Sequence, residues 1–232
     1  MTFAVVIPAA GSGSRMGAAV PKVLLDIPAE GDGTQTILRR CVDTFAREER
    51  CTRIVVCVPA EWQTQFAEAL RGIENLSMIP GGPTRQDSVR YGVEHLSEGL
   101  GVGHETTVLV HDAARCCVSS GVINRVVDGV REYGAVTAAV KVIDTTCAVE
   151  ATQTIVNYVD REALWSVQTP QGFILGDLLQ AHREAHRDGI TALDDASLVA
   201  RLRPVRVVPG DRLNVKVTEP ADLRLVQRSS DI

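Results

Sequence analysis

The feature that most constrains this chain is an apolar run that changes abruptly into a glycine-rich segment. Residues 4–7 read Ala-Val-Val-Ile, and residues 8–17 read Pro-Ala-Ala-Gly-Ser-Gly-Ser-Arg-Met-Gly. A short apolar run bounded by proline and glycine predicts a buried strand of a parallel sheet. The small residues that follow allow backbone N–H groups to approach a ligand closely, and Arg15 and Lys22 add two cations beyond them. A strand that leads into such a loop is a typical nucleotide-binding position in α/β sheets.

This glycine-rich loop matches neither of two common phosphate-binding fingerprints. The dinucleotide fingerprint needs a glycine three residues after its second glycine, and counting from Gly11 and Gly13 that position holds Met16. The mononucleotide loop needs a Gly-Lys-Ser or Gly-Lys-Thr sequence, which this stretch lacks. The loop therefore predicts phosphate contact without naming the nucleotide, and a simple turn between a strand and a helix stays open as the alternative.

A second glycine turn lies at residues 81 and 82. Gly81 and Gly82 lead into a predicted helix whose first turn carries Arg85 and Ser88 on one face. The N-terminus of a helix with an arginine and a hydroxyl suits an anion or the edge of a base. An ordinary capped helix is the equally acceptable alternative.

A predicted strand over residues 107–110 leads to a carboxylate. Asp112 follows His111 and is expected to point into the crevice at the carboxyl end of the sheet. Its oxygens suit Mg²⁺ held against phosphates, while an ion pair with Arg115 or a cap on the next turn are the alternatives. His111 is predicted to be a packing residue, because no second histidine lies at metal-ligand spacing.

The order of predicted strands and helices indicates one domain over residues 1–232. We expect an α/β fold with a Rossmann-like, mostly parallel sheet flanked by helices. The pattern changes at about residues 144–165, where short alternations with polar turns predict a β-arm that projects from the sheet. Two isolated strands bury little apolar surface, so we expect a second copy of the chain to cover the arm in a homodimer.

Composition disfavours several classes of function. The chain has a formal net charge of −5, which argues against a general nucleic-acid binder or a protein of anionic membranes. It has no apolar run of membrane-spanning length and no signal-peptide pattern, so a cytoplasmic location is expected. None of the six cysteines forms a Cys-x-x-Cys pair, which disfavours a zinc or thioredoxin-type site and predicts reduced, mostly buried thiols.

Taken together, these segments resemble the 2-C-methyl-D-erythritol 4-phosphate cytidylyltransferase family of the non-mevalonate isoprenoid pathway. The matching motifs occur in the family's order and span nearly the whole chain. The most specific of them are residues 110–115 (Val-His-Asp-Ala-Ala-Arg), 169–171 (Thr-Pro-Gln) and 216–218 (Lys-Val-Thr). The others are residues 8–16, 21–22, 81–89, 144–145, 160–161, 164–165 and 194–197.

The resemblance implies an enzyme that joins CTP and 2-C-methyl-D-erythritol 4-phosphate and releases pyrophosphate, with Mg²⁺ or another divalent cation on the triphosphate. The catalytic cations implied by it are Arg15, Lys22 and Lys216. The residues implied in nucleotide binding are Ala9, Ala10, Gly11, Gly13, Gly82, Pro83, Arg85 and Ser88. Those implied in binding the sugar-alcohol phosphate are Asp112, Arg115, Thr145, Arg161 and Thr169. In the family, the threonine and arginine matching Thr145 and Arg161 come from the partner's arm, so a homodimer is implied.

The chain departs from the family pattern at three places. Cys147 stands near a common lysine, Leu193 stands where a threonine often contacts substrate, and the loop over residues 30–33 is longer than expected. Two alternatives stay open: a ribitol-5-phosphate cytidylyltransferase or another sugar-nucleotide transferase, and a nucleotide-binding regulatory module without turnover. The identity of the acceptor distinguishes another transferase from the family reaction. A requirement for Lys22 and Lys216 in turnover distinguishes an enzyme from a regulatory module.

Overall fold

The computed structural model describes residues 1–11, 20–29 and 33–228. Its strands are β1 (Phe3–Pro8), β2 (Asp26–Pro28), β3 (Thr34–Thr36), β4 (Cys51–Val58), β5 (Leu76–Pro80), β6 (Thr107–Val110), β7 (Ala135–Lys141), β8 (Thr146–Val149), β9 (Ile155–Val159), β10 (Trp165–Ile174) and β11 (Arg206–Pro209). Its α-helices are α1 (Ile37–Ala46), α2 (Gln63–Ala69), α3 (Arg85–Glu94), α4 (Ser120–Tyr133), α5 (Leu175–Arg187), α6 (Asp195–Val199) and α7 (Pro220–Arg228).

The central sheet of the described chain has seven strands in the order β11-β7-β10-β6-β1-β4-β5. β1 pairs in parallel with β6 and β4, β4 with β5, and β7 with β11. β10 alone is antiparallel to its neighbours, β6 and β7. β7 connects to β10 through β8 and β9 rather than through a crossover helix, so the chain returns in the opposite direction.

Both faces of this sheet are covered by helices. Along β1, Phe3, Val5 and Ile7 join one apolar cluster, which includes residues of α1, α2, α4 and α7. Ala4 and Val6 join the other cluster, with residues of α3, α5 and α6. Because alternate side chains of β1 are buried on opposite faces, the strand is apolar throughout, as the sequence predicted.

The predicted α/β fold is therefore confirmed, including the strand over residues 107–110 and the departure after β7. β8 and β9 form a separate antiparallel hairpin within residues 144–165, and we call this segment the β-arm. Its role in dimerisation and the single-domain division over residues 1–232 stay predictions. In the part of the chain that the structure describes, no helix is long and apolar enough to cross a membrane.

None of the six cysteines, all of which lie within the described residues, forms a disulfide bond. Cys41, Cys57 and Cys116 are buried, and Cys51, Cys117 and Cys147 are half-buried. Burial raises the pKa of Cys51 and Cys57 to about 12. These two thiols therefore stay protonated at neutral pH, in agreement with the packing role predicted for them.

Candidate active site

A cleft of about 470 Å³ opens at the carboxyl ends of β1 and β6, beside the N-terminus of α3. The described residues that line it are Pro8, Ala9, Ala10, Gly11, Lys22, Val23, Gly82, Pro83, Thr84, Arg85, Ser88, Asp112, Ala113, Ala114, Lys216 and Thr218. Every predicted catalytic and nucleotide-binding residue in the described ranges is among them. Gly13 and Arg15, the remaining two, lie outside the described residues.

Asp112 is the electrostatic centre of the cleft. Arg85 Nε donates to its Oδ1 over 2.8 Å, and Lys216 Nζ donates to its Oδ2 over 2.6 Å. Burial alone would raise the pKa of Asp112, but the charges and hydrogen bonds of Arg85 and Lys216 outweigh it and hold that pKa well below its usual range. The carboxylate is therefore ionised at neutral pH and anchors two cations that reach the cleft from distant parts of the chain.

Arg115 does not form the ion pair with Asp112 that one alternative predicted. Its Nη1 donates instead to the carbonyl of Asn214 over 2.7 Å. Burial lowers the pKa of Arg115. The carboxylate oxygens of Asp112 are instead paired with cations from α3 and from the segment before α7.

Lys22 and Lys216 are held by one short segment near the C-terminus. Lys22 Nζ donates to the carbonyl of Val217 over 2.8 Å, and the Val217 N–H donates to the carbonyl of Ala114 over 2.9 Å. Asp222 accepts from the N–H and hydroxyl of Thr218, which fixes the end of that segment at the start of α7. The two lysines therefore converge although they are far apart in sequence.

The turn at Gly81 and Gly82 packs tightly against the glycine-rich loop. A Cβ at Gly81 would collide with the Cβ of Ala10, and a Cβ at Gly82 would collide with that of Asp87. Ser88 Oγ accepts from the Gly82 N–H over 3.0 Å, which ties the turn to the first turn of α3. The turn therefore needs glycine at both positions for its close approach to Ala10 and Asp87.

Thr169 and His111 support Asp112 from beneath the cleft. Thr169 Oγ accepts from the Asp112 N–H over 3.0 Å and lies 3.2 Å from His111 Nδ1. His111 Nε2 donates to the carbonyl of Arg115 over 3.0 Å, so Nδ1 is the acceptor of the Thr169 hydroxyl. Burial lowers the pKa of His111 to about 4, which keeps the ring neutral, and its ring packs on Phe45. His111 is thus the packing residue that the sequence predicted.

The predicted acceptor-binding residues divide into two groups in the structure. Asp112 lines the cleft, with Thr169 and Arg115 behind it, whereas Thr145 and Arg161 lie on the exposed β-arm. Neither arm residue lines the cleft of its own chain, and Arg161 Nη1 donates to the carbonyl of the neighbouring Ile143 over 3.0 Å.

Comparison with known proteins decides the family. A sequence profile of 2-C-methyl-D-erythritol 4-phosphate cytidylyltransferase matches residues 3–229. The chain belongs to this family. The protein of that name from Bacillus cereus is 38% identical over 229 residues, covering 97% of this chain and 96% of the relative. That from Geobacillus kaustophilus is 36% identical over 227 residues, covering 96% and 94%. The crystal structure of the protein from Thermus thermophilus aligns with a TM-score of 0.80 at 35% identity, covering all of both chains.

Two of the three departures from the family pattern can be located in the structure, and residues 30–32 of the third lie outside the described residues. Leu193 is 98% exposed, immediately before the cap of α6. Cys147 is half-buried in β8, at the base of the β-arm. Neither residue lines the cleft, so the described arrangement of cations around Asp112 does not depend on them.

Sequence reasoning missed the residues behind Arg85. Arg85 Nη1 donates to Asp195 Oδ2 over 2.9 Å, and His182 Nε2 contacts Asp195 Oδ1 over 3.0 Å. The only available signal was the motif at residues 194–197, which indicated an acidic helix start and not an ion pair. Thr84, Val23 and Thr218 were also missed, although Thr84 and Val23 each adjoin a predicted site residue and Thr218 lies two residues after Lys216.

The described residues contain no group of three histidine, cysteine, aspartate or glutamate side chains that could hold a metal ion. Asp112 is the one carboxylate among the described lining residues, and both of its oxygens accept hydrogen bonds from cations. This donor set fits a divalent cation that arrives with phosphate oxygens as its main ligands, and it does not fit a metal held by protein alone.

Proposed function

We propose that this chain catalyses the reaction for which its family is named, with CTP as the nucleotide donor. A phosphate oxygen of 2-C-methyl-D-erythritol 4-phosphate attacks the α-phosphorus of CTP. The bond between that phosphorus and the bridging oxygen to the β-phosphorus breaks, and pyrophosphate leaves. The observation that carries the proposal is the convergence of Lys22 and Lys216 on one cleft at the tips of β1 and β6.

The charge of the cleft suits a triphosphate. Its described lining has three cations, Lys22, Arg85 and Lys216, against the single carboxylate of Asp112. Phosphoryl-type transfer needs in-line positioning and neutralisation of the charge around the reacting phosphorus, with little covalent work by the protein. We assign these tasks to Lys22 and Lys216, and to Arg15 by family resemblance.

The small residues of the cleft suit the nucleotide. Ala9, Ala10 and Gly11 present backbone with little side-chain bulk, opposite Gly82 and Pro83. The N-terminus of α3, which Thr84 caps, directs the partial positive charge of the helix toward the same space. Such a surface holds phosphates through the backbone and leaves room for a base and ribose.

The proposed cofactor is Mg²⁺ or another divalent cation. The Asp112 carboxylate would be the protein ligand of this metal, beside the triphosphate oxygens, once one of the two cations paired with Asp112 has moved away. When bound, the metal lowers repulsion among the phosphates and stabilises pyrophosphate as a leaving group.

The proposed acceptor site combines two subunits of a homodimer. Asp112, Arg115 and Thr169 would come from one chain, and Thr145 and Arg161 from the β-arm of the other. The apolar side chains exposed on the arm support this assignment, because an exposed apolar patch typically marks an interface. Both proposed substrates are charged small molecules, in keeping with the expected cytoplasmic location.

The test is pyrophosphate release from CTP and Mg²⁺ with either 2-C-methyl-D-erythritol 4-phosphate or ribitol 5-phosphate. Release with the first acceptor alone is the expected result. Release with the second alone would keep the cleft and its cations but assign another acceptor. CTP binding without release in either reaction would contradict the proposal and favour a non-catalytic nucleotide-binding module.

A further inference from the structure

A chain of hydrogen-bonded polar side chains runs from the protein interior to the cleft and includes two residues that the proposed reaction does not use. His182 on α5 donates to Asp195, which binds Arg85 through its other oxygen. Arg85 then binds Asp112, whose second oxygen binds Lys216. Each carboxylate lies between two nitrogen donors, and Arg85 lies between two carboxylates.

The end of this chain away from the cleft is fully buried, whereas the end at the cleft is partly exposed. The side chains of Lys216 and Arg85 are 37% and 32% exposed, that of Asp112 is 11% exposed, and those of Asp195 and His182 are 1% and 0% exposed. Asp195 is thus shielded from any ligand in the cleft. Any effect it has on the reaction must pass through Arg85.

The position of Asp195 is fixed by hydrogen bonds to its neighbours. Asp194 and Ser197 form a capping box at the start of α6, with Ser197 N–H to Asp194 Oδ1 at 2.8 Å. The Gln171 amide bridges β10 and α6, donating to Asp194 Oδ2 over 2.7 Å and accepting from the Ala196 N–H over 2.9 Å. Hydrogen bonds therefore fix the backbone on both sides of Asp195, independently of its contact with Arg85.

We propose that Asp195 is a positioning residue for the reaction: through Arg85 it fixes the carboxylate of Asp112 and thereby the ammonium of Lys216. The role of Lys216 in turnover rests on the proposed function. The guanidinium of Arg85 is a rigid planar fork, and two carboxylates on different edges define its orientation more closely than one. Without Asp195, the Arg85 guanidinium keeps only its contact with Asp112 and is free to rotate toward a bound phosphate, so the position of Asp112 relative to Lys216 loses its support.

The electrostatics agree with this geometry. Burial alone would raise the pKa of Asp195, but the charge of Arg85 and the hydrogen bond from His182 outweigh it and hold that pKa below its usual range. Burial alone would lower the pKa of Arg85, but Asp195 and Asp112 together raise it. The charges at Asp195 and Arg85 therefore persist across the neutral range, as does the attraction between them.

The first test compares Asp195→Asn with Asp195→Glu. Asparagine keeps the volume but removes the charge that holds Arg85, and a misplacement of about 1 Å at a reacting group lowers a rate by about a hundredfold. We expect Asp195→Asn to reduce kcat about tenfold to a hundredfold, with KM for CTP changed much less, and Asp195→Glu to recover most of kcat. The matched control is Asp177→Asn, which removes an aspartate that pairs with Arg203 away from the cleft and should leave kcat unchanged.

A double-mutant cycle with Lys216→Gln separates positioning from a general structural defect. If Asp195 acts through Lys216, Asp195→Asn should cost less than about twofold further in kcat when Lys216 is already replaced. A general defect would multiply the two losses. Multiplied losses, or a wild-type kcat in Asp195→Asn, would overturn the proposal.

A crystal structure of Asp195→Asn provides a readout without turnover. Displacement of Arg85 or Lys216 from Asp112 is expected, and unchanged contacts among these three residues would overturn the inference. This measurement stays decisive if the wild type fails to release pyrophosphate with 2-C-methyl-D-erythritol 4-phosphate. In that case the proposed function fails, and the positioning of Lys216 is judged from the structure alone.

Discussion

At the residue scale, Lys22 gives a direct test of catalysis, because its described hydrogen bond goes to a backbone carbonyl and not to Asp112. Replacing Lys22 with alanine removes one hydrogen bond at the wall of an open cleft, which costs about 1 kcal/mol of stability. Loss of a cation that stabilises the transition state lowers turnover about a hundredfold or more. We expect Lys22→Ala to unfold near the wild-type temperature but to release pyrophosphate at this reduced rate.

The control for this variant is Arg53→Ala, which removes an exposed cation from the start of β4, at the other end of the sheet. Its turnover should equal that of the wild type. A folded Lys22→Ala protein with near-normal turnover would contradict the role assigned to Lys22.

The lowered pKa of Asp112 predicts how stability depends on pH. An unfolded aspartate has a pKa of about 3.9, and the folded value lies lower, so the stabilisation is complete above the unfolded value and is lost as pH falls toward the folded one. Between pH 4 and pH 3 the free energy of unfolding should fall about 1 kcal/mol more in the wild type than in Asp112→Asn. Urea titrations of both proteins at pH 7, 5, 4 and 3 measure this difference. Parallel profiles would show that Asp112 is not held ionised by Arg85 and Lys216.

At the scale of the structural element, the turn before α3 packs directly against the segment that follows β1, at Ala10. A methyl group at Gly81 would collide with Ala10, so one of the two loops must move in Gly81→Ala. Overpacking of this kind costs about 1–3 kcal/mol, and the displaced backbone should weaken CTP binding about tenfold or more. Calorimetric titration of CTP and thermal unfolding measure the two effects.

Gly103→Ala is the matched control for that substitution. A Cβ at Gly103 would have one neighbour, Thr106 Oγ, at 4.0 Å, which is an ordinary contact. CTP affinity and stability should both be retained. Equal effects of the two substitutions would mean that loss of glycine itself, and not the collision at Ala10, causes the change.

The elements that could be predicted from the sequence are those with local signals. The apolar run of β1 and the strand over residues 107–110 are buried on both sides, and Asp112 follows from its place at a strand tip. Contacts across the fold have no such signal. Arg85 and Asp195 are 110 residues apart, and their pairing depends on how α3, α5 and α6 pack on one face of the sheet.

At the scale of the whole molecule, the β-arm leaves an apolar surface that one chain does not cover. Its exposed large apolar side chains, with those at its base, are Ile143, Val149, Ile155, Val156, Tyr158, Val159 and Trp165. A hairpin of two strands is marginal on its own. The same segment carries Thr145 and Arg161, which have no place in the cleft of their own chain. One arrangement accounts for both facts: the arm packs on a second copy and delivers these residues to that copy's site.

That arrangement predicts complementation between two inactive variants. Lys216→Gln damages the site of its own chain, whereas Arg161→Ala damages the site of its partner. A mixed dimer therefore has one site with both defects and one intact site. Random assortment makes half of the dimers mixed, so co-expression of the two variants should restore about one quarter of wild-type turnover.

Co-expression of Lys216→Gln with Lys22→Ala is the control and should restore nothing, because each chain then damages its own site. Equal turnover in the two mixtures would place Arg161 in the site of its own chain.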